Sequence, residues 1–522
     1  MTTRRRDVGG FTARRRIVVG AVAALVWAVA RAGVDDGIVN TGGWSSFRRF
    51  WRSAADLEVS GEFLRLTVDA ATLTLSYAVL GTVLSVVLGC LGALVISETL
   101  WGDRIGRRIA GALLVVPRAV HEILWALLLV QVLGFDPLVA VIAIGVPFGA
   151  VTAKVYAETI DEADQRAYRR LSASGAGRLT ALAYGIVPEV RGELISYAFY
   201  RFECAIRSAA VLGIIGAGGL GFQLDLSFES LRYDEIWTLI VALMILSGLA
   251  DTWSSRVRRS RDPRVGRFSL LAVVALVPLS WRWIDLDPTE LVSARTRRLG
   301  RELLGDLFPA RLGPGGWREL IDATVDTVAM SVLATAIAAG GGLALAIAVR
   351  RRTMRTALSL PAGDLARVVG RGVLLLFRAV PAPVWAFVWV LVLFPGPWPG
   401  AVALGIYNLG VLGRLFAETL EDADVRPADM LVASGANHTQ ALWYGTLPTA
   451  APRLVALAAY RWEVIVRETV VVGVVGAGGL GQLINEHLAA RDFAAVTGAI
   501  GALVIVTLVI DRIGAHFRRH LR

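Results

Sequence analysis

Apolar residues come in long uninterrupted blocks, with the polar residues gathered between the blocks instead of alternating with them. The blocks run approximately over 17–30, 70–97, 109–133, 137–153, 194–216 and 236–250, and again over 268–281, 327–349, 372–394, 399–413, 454–476 and 493–510. A helix needs about 20 such residues to cross a bilayer. Several blocks exceed that length, and the shorter ones require flanking arginines that reach back to the interface. The pattern predicts twelve membrane helices, six plus six. The first block follows Arg14, Arg15 and Arg16, as the core of a cleaved leader would. Its match at 268–281 lies in mid-chain, where no leader can be, so a retained helix is expected.

The two series of six are copies of one another at a constant offset of 260. Ala173-Ser174-Gly175-Ala176 matches Ala433-Ser434-Gly435-Ala436, and Tyr184-Gly185 and Pro188 match Tyr444-Gly445 and Pro448. Residues 154–164 (KVYAETIDEAD) align with 414–424 (RLFAETLEDAD), and 12 of the 22 positions in 200–221 are identical to 460–481. A repeat of this size makes each copy a structural unit, with division expected at 1–258 and 259–522. Six helices per copy is an even number, so both halves enter the membrane in the same sense, about a pseudo-two-fold axis along its normal. Such an axis suits a central pathway.

Composition agrees. Of 522 residues 55% are hydrophobic and 19% charged, against about 25% charged in soluble chains, and the mean hydropathy is +0.59. Disorder and a disulfide scaffold are excluded. Net charge is +11, and Lys154 is the only lysine. The arginines cluster between apolar blocks, which fits membrane topology better than nucleic-acid binding. Arg4, Arg5, Arg6 and Arg14–Arg16, then Arg104, Arg107 and Arg108, then Arg256, Arg258, Arg259, Arg261, Arg264 and Arg267, and finally Arg518, Arg519 and Arg522 all fall on one side if the N-terminus is cytoplasmic. Arg295, Arg297, Arg298 and Arg301 would lie outside, in a long segment with Glu290, Glu302 and Asp306 that suits an interfacial helix. Cys90 and Cys204 sit inside apolar blocks and read as small core residues.

Four features carry chemistry. The segments 159–193 and 419–453 are cytoplasmic in this orientation, and each holds an Ala-Ser-Gly-Ala cluster with a proline thirteen residues after its glycine. Small residues admit close approach by another surface, and the glycine permits a turn between two short helices. The repetition favours a docking element over an ordinary connection.

Gly216-Ala217-Gly218-Gly219-Leu220-Gly221, repeated at Gly476–Gly481, superficially suggests phosphate binding, but no Lys-Ser/Thr follows and no strand precedes. The run reads as a helix end, where Gly216, Gly218, Gly219 and Gly221, and Gly476, Gly478, Gly479 and Gly481, allow a broken helix and tight packing near the pathway; plain helix packing is the alternative.

No nucleotide-hydrolysing loop is present, because it requires a lysine and Lys154 lies in Val-Thr-Ala-Lys. Any ATP must be hydrolysed by a partner.

Arg201, Glu203 and Arg207 recur as Arg461, Glu463 and Arg467, and Arg118 recurs as Arg378, all within apolar blocks. Glu203 and Arg207 are four apart and can pair, leaving Arg201 and Arg461 as surplus cations. Intramembrane charge faces a cavity or a partner, and guanidinium forks match phosphoryl oxygens; structural ion pairing is the alternative. His121 and Glu122 have no equivalents, since Pro381 and Ala382 stand there, so the pathway is only approximately symmetric.

The Ala-Ser-Gly-Ala cluster with its downstream Tyr-Gly-x-x-Pro, the Tyr-Arg-x-Glu-x-x-x-Arg run and GAGGLG, present in both halves, resemble the permease subunit of phosphonate ABC importers. The resemblance covers both halves, so the chain looks like two units fused. It implies an all-α type I importer (MetI-like) transmembrane fold, with a transport role and no enzymatic one. Ser174, Gly175, Ala176 and Pro188, and Ser434, Gly435, Ala436 and Pro448, would belong to the coupling helices. The family signature opens with Glu-Ala-Ala six residues before its glycine; Arg169-Arg170-Leu171 and Asp429-Met430-Leu431 stand there instead, so docking contacts would differ in detail.

Implied partners are two copies of an ABC ATPase carrying ATP and Mg, an extracytoplasmic solute-binding protein, and the bilayer of a bacterial cell membrane. The chain itself would hold no cofactor or metal and bind no nucleic acid. Two alternatives stand beside this reading: a related importer for methionine or another small solute, and a major-facilitator transporter. The Gly102–Arg108 fragment fits the latter, but its counterpart around Arg350-Arg351-Arg352 lacks the pattern.

Overall fold

In a computed structural model of the chain, residues 6–33, 38–102, 104–260, 262–350, 360–394 and 396–521 are described. Among them the regular elements are all helices, and one isolated bridge pairs Val39 with Leu393. Arg4, Arg5, Arg261 and Arg522 lie outside the described residues, as do Asp103, Arg351 and Arg352. Each of the twelve apolar blocks falls on a helix or a bent helix pair. Seven described helices are long and apolar enough to cross a membrane, or eleven spans if each of four bent pairs is one. The apolar part of the leading helix, Val19–Ala32, is shorter than those. The basic segment after the midpoint forms a helix, Ala294–Leu307, with no buried residue.

Two blocks expected to be single helices are bent. Ile105–Ala119 meets Glu122–Leu133 at 87°, and Arg367–Ala379 meets Ala382–Val390 at 92°. In the first, Val120 and His121 are extended, and the Ile123 N–H donates to His121 Nδ1 at 3.3 Å, capping the second piece. In the second, Pro381 takes the capping place; it has no N–H for the preceding turn, so the helix restarts there.

Packing divides the chain into two compact units that cut across the repeat. One holds residues 52–306; the other holds 1–51 together with 307–522. The division at 1–258 and 259–522 is one of sequence, and each half lends its leading helix to the other compact unit. Helix Arg6–Ala32 packs on Gly316–Val349. Arg31 lies 3.1 Å from Asp322 and 2.9 Å from Asp326, and the Trp398 indole donates to the Gly33 carbonyl at 2.8 Å. The Asn40 N–H then donates to the Val392 carbonyl at 2.8 Å, and Phe47 and Trp51 pack on Trp389 and Trp385. In the other unit, Pro263–Trp283 packs on Gly61–Ile96, and Ile284 and Leu286 enter a core with Tyr77, Phe148 and Ile206.

Each unit is organised round one long helix pair: Gly61–Ile96 with Pro137–Glu162, and Gly316–Val349 with Pro397–Glu421. Glycines let these backbones approach. A Cβ at Gly145 would lie 2.5 Å from Leu84 Cδ2, and one at Gly405 would lie 2.7 Å from Ile337 Cγ2.

Candidate functional site: two helical hairpins, two glycine breaks and a set of intramembrane charges

The segments 159–193 and 419–453 are helical hairpins. Arg166–Ala173 is followed by a turn at Ser174-Gly175-Ala176, then Arg178–Gly185, then Val187–Leu212. The second copy runs Arg426–Ala433, a turn at Ser434-Gly435-Ala436, His438–Ala441 and Leu447–Val472. In both turns the glycine stands at φ +91°, and its added Cβ would meet open space, so glycine is there for its backbone alone. The alanine N–H closes the turn on the Leu171 carbonyl at 3.0 Å and the Leu431 carbonyl at 2.9 Å. Ser174 and Ser434 are exposed and donate to the Arg170 and Met430 carbonyls at 3.0 and 2.9 Å. Pro188 and Pro448, also exposed, occupy the first turns of the helices that follow.

Sequence reading attached no role to Gly185 and Gly445, which set the hairpin's crossing. A Cβ there would lie 2.8 Å from the Tyr168 nitrogen and 2.7 Å from the Ala428 Cα. The two hairpins share one backbone and differ in surface. Exposed Arg169 and Arg170 in the first correspond to exposed Asp429 and Met430 in the second, and Ala183 corresponds to Trp443, 57% exposed.

The glycine runs break their helices. Val187–Leu212 widens into a π-turn over Gly213–Ala217, with Gly216 at φ +97°, Gly218 at +84° and Gly219 at +77°, before Gly219–Glu229 resumes at 55°. The second copy repeats this at Gly476 (+93°), Gly478 (+88°) and Gly479 (+71°), with a bend of 59°. Gly221 and Gly481 serve packing: an added Cβ would overlap the Ala210 carbonyl oxygen in one and lie 2.5 Å from that of Val470 in the other. A threonine from the neighbouring long helix caps each restart. The Leu220 N–H donates to Thr74 Oγ1 at 2.9 Å, and the Leu480 N–H to Thr327 Oγ1 at 2.8 Å. These two threonines are 253 apart, off the repeat's offset, so an alignment at 260 conceals them.

The intramembrane charges are brought into distinct surroundings. Arg118 and Arg378 each sit in the last turn before a helix bend, where a cation complements the helix dipole. Glu203 is buried and lies 3.5 Å from Arg207. Glu463 is buried as well, with Arg467 one turn on. Arg461 Nη2 lies 2.8 Å from Glu468 Oε1, and its Nε donates to Asn408 Oδ1. Arg201 Nε and Nη2 donate to the Tyr197 hydroxyl at 2.9 and 2.5 Å. His121 and Glu122, unmatched in the second half, form a group with Ser208, whose hydroxyl donates to Glu122 Oε1 at 2.5 Å. Among the described residues there is no cluster of three or more side chains able to hold a metal ion.

Comparison with known proteins adds four findings. A family model described as the binding-protein-dependent transport system inner membrane component matches the chain twice, over residues 74–267 and 356–522. The phosphate-import permease protein PhnE of Mycolicibacterium smegmatis is 28% identical over 463 residues, which are 86% of this chain and 84% of the relative. The phosphite transport system permease protein PtxC of Stutzerimonas stutzeri is 31% identical over 220 residues, 42% of this chain and 77% of its own. A chain of the MetNI methionine ABC transporter, solved in inward-facing conformations, aligns at a TM-score of 0.36 and 20% identity over 40% of this chain and 100% of its own.

Proposed function

Because the chain belongs to the family of binding-protein-dependent transport system inner membrane components, we propose that this permease of an ATP-driven importer carries a phosphorus oxyanion: phosphate, phosphite or a phosphonate. The observation that carries the substrate reading is the relationship to a phosphate-import permease along 84% of that relative's length.

The residues then take these parts. A solute-binding protein delivers the anion from outside. Two ATPase subunits, holding ATP and Mg, dock beneath on the hairpins around Ser174-Gly175-Ala176 and Ser434-Gly435-Ala436, while both termini face the cytoplasm. Pro188 and Pro448, at the first turns of the long helices, pass the hairpins' movement into those helices. The breaks at Gly216–Gly221 and Gly476–Gly481 are the hinge points, because glycine at positive φ lets the halves of a helix reorient without a side-chain clash. Each Thr cap holds the backbone N–H that the break exposes. Glu203 with Arg207 is a structural pair, and the cation for the anion comes from a guanidinium whose charge no carboxylate cancels.

The test is reconstitution with the ATPase and binding protein into vesicles. ATP-dependent uptake of phosphate, phosphite or methylphosphonate is expected, and the chain by itself hydrolyses no ATP. Uptake of none of the three overturns the substrate reading; hydrolysis by the isolated chain overturns the division of labour.

A further inference from the structure

The arginines that the repeat makes equivalent, Arg201 and Arg461, differ in electrical state. Arg461 belongs to a closed triangle. It lies 2.8 Å from one oxygen of Glu468 and donates to Asn408 Oδ1, while the Asn408 amide donates to the other Glu468 oxygen at 2.8 Å. The Arg461 and Glu468 side chains are 12% and 13% exposed, so the charges cancel in a low-dielectric setting.

None of this survives in the first half. Ser208 stands where Glu468 does, Phe148 where Asn408 does, and Tyr197 takes the place of Leu457. Arg201 spends two donors on one phenol oxygen. Its guanidinium carbon lies 5.0 Å from the ring centroids of Phe148 and Tyr197 and 5.7 Å from that of Tyr200. Aromatic faces stabilise a cation without neutralising it. Among the described residues Arg201 makes no ion pair, and Ser208 is turned to Glu122. A guanidinium has five N–H donors, so those not on Tyr197 remain for a ligand.

From this we infer that Arg201, and not Arg461, is the guanidinium that binds a tetrahedral phosphorus oxyanion, and that Glu468 with Asn408 is an internal substitute filling the equivalent place in the second half. The inference rests on the transport reading above and sharpens it to one of the two repeats. The oxyanion would meet Arg201 as the Glu468 carboxylate meets Arg461, through a charge-assisted fork. A lipid phosphate headgroup has the same chemistry; the assignment here is to the free anion.

The whole complex in vesicles, with and without phosphatidylglycerol in phosphatidylcholine, decides it, with inorganic phosphate, phosphite and methylphosphonate as probes. Arg201→Gln should lower uptake about ten-fold or more in both vesicle types, the scale of losing a charge-assisted bidentate contact. Arg201→Lys should recover part of it. Arg461→Met/Glu468→Met, which removes both charges together, should stay within about two-fold of the parent. Should Arg201→Gln fail to assemble, Ser208→Glu/Phe148→Asn gives the second arm. It installs the second half's partners beside Arg201 and should abolish uptake with the complex intact.

Full uptake by either first-half variant overturns the inference. So does equal loss in the Arg461/Glu468 variant, or a loss confined to vesicles containing phosphatidylglycerol. If the parent complex transports none of the three anions, the substrate reading falls and this inference with it. If the parent transports and the first-half variants match it, this inference alone falls.

Discussion

Thr74 Oγ1 accepts the Leu220 N–H at 2.9 Å across 146 residues of chain, and the hydroxyl's own proton goes to the Ala70 carbonyl at 2.9 Å. Both groups are buried, so among the described residues the amide freed at the start of Gly219–Glu229 is satisfied through this side chain. Thr74→Val keeps the shape and strands the amide, at a cost of about 1–3 kcal/mol. Thr327→Val should do the same to Leu480. Thermal unfolding of the purified chain in lipid nanodiscs should show a lowered midpoint for each, roughly additive in the pair because they share no partner. Unchanged midpoints would mean that water or a neighbouring group supplies the cap.

Gly221 and Gly481 differ in how tightly they are held. At Gly221 an added methyl meets a backbone oxygen head-on, whereas at Gly481 it lies 2.5 Å from one. Backbone cannot step aside as a side chain can, so Gly221→Ala should cost more than Gly481→Ala, with overpacking on the scale of 1–3 kcal/mol. Gly175→Ala, at φ +91° with open space round it, carries only the conformational penalty of about 1 kcal/mol. Yield and unfolding midpoint should therefore rank Gly175→Ala mildest and Gly221→Ala most severe.

The exchange of leading helices predicts what a cut chain does. Arg6–Ala32 packs in the compact unit of 307–522, and Pro263–Trp283 packs in that of 52–306. A protease site inserted after Ser260 would separate the sequence halves while leaving each leading helix packed in the unit built by the other half. The fragments should co-purify in mild detergent. Arg31→Ala should loosen them only slightly, since partly exposed pairs with Asp322 and Asp326 contribute about 0.2–1 kcal/mol each. Prompt separation of the fragments would show that these helices do not fasten the halves together.

That exchange marks the limit of what could be read from the residues. The twelve apolar blocks, the repeat at offset 260 and the breaks at Gly216 and Gly476 were all legible, because hydrophobic length and glycine runs act locally. Which unit receives Arg6–Ala32 depends on contacts such as Arg31 with Asp322, 291 residues on, and Gly33 with Trp398, 365 residues on, and no local pattern encodes them. The bends at Val120 and Pro381 hid within continuous apolar runs for a related reason: hydropathy reports burial, and burial continues round a corner. Pairing by repeat makes Arg201 and Arg461 equivalent, while the side chains at the positions round them, Ser208 against Glu468 and Phe148 against Asn408, are ones at which the halves differ.

The two hairpins, alike in backbone, should bind their ATPases by different forces. The first offers exposed Arg169 and Arg170 where the second has Asp429 and Met430, Arg166 being matched by exposed Arg426; the two arginines attract an acidic surface through charge, an attraction weakened by salt as the Debye length shortens from about 10 Å at 0.1 M to 3 Å at 1 M. The second offers Met430 and Trp443, 65% and 57% exposed, an apolar patch whose burial is insensitive to screening. Disabling one hairpin at a time separates the contributions. With Met430→Ser/Trp443→Ser, ATPase association must run through the arginines and should fall steeply between 0.1 and 1 M salt. With Arg169→Glu/Arg170→Glu it must run through the apolar patch and should barely change. Association measured by light scattering or surface binding at graded ionic strength would read both slopes. Equal slopes in the two variants would mean that the hairpins dock through the backbone and small residues they share, around Gly175 and Gly435, and that the differing side chains stand aside from the contact.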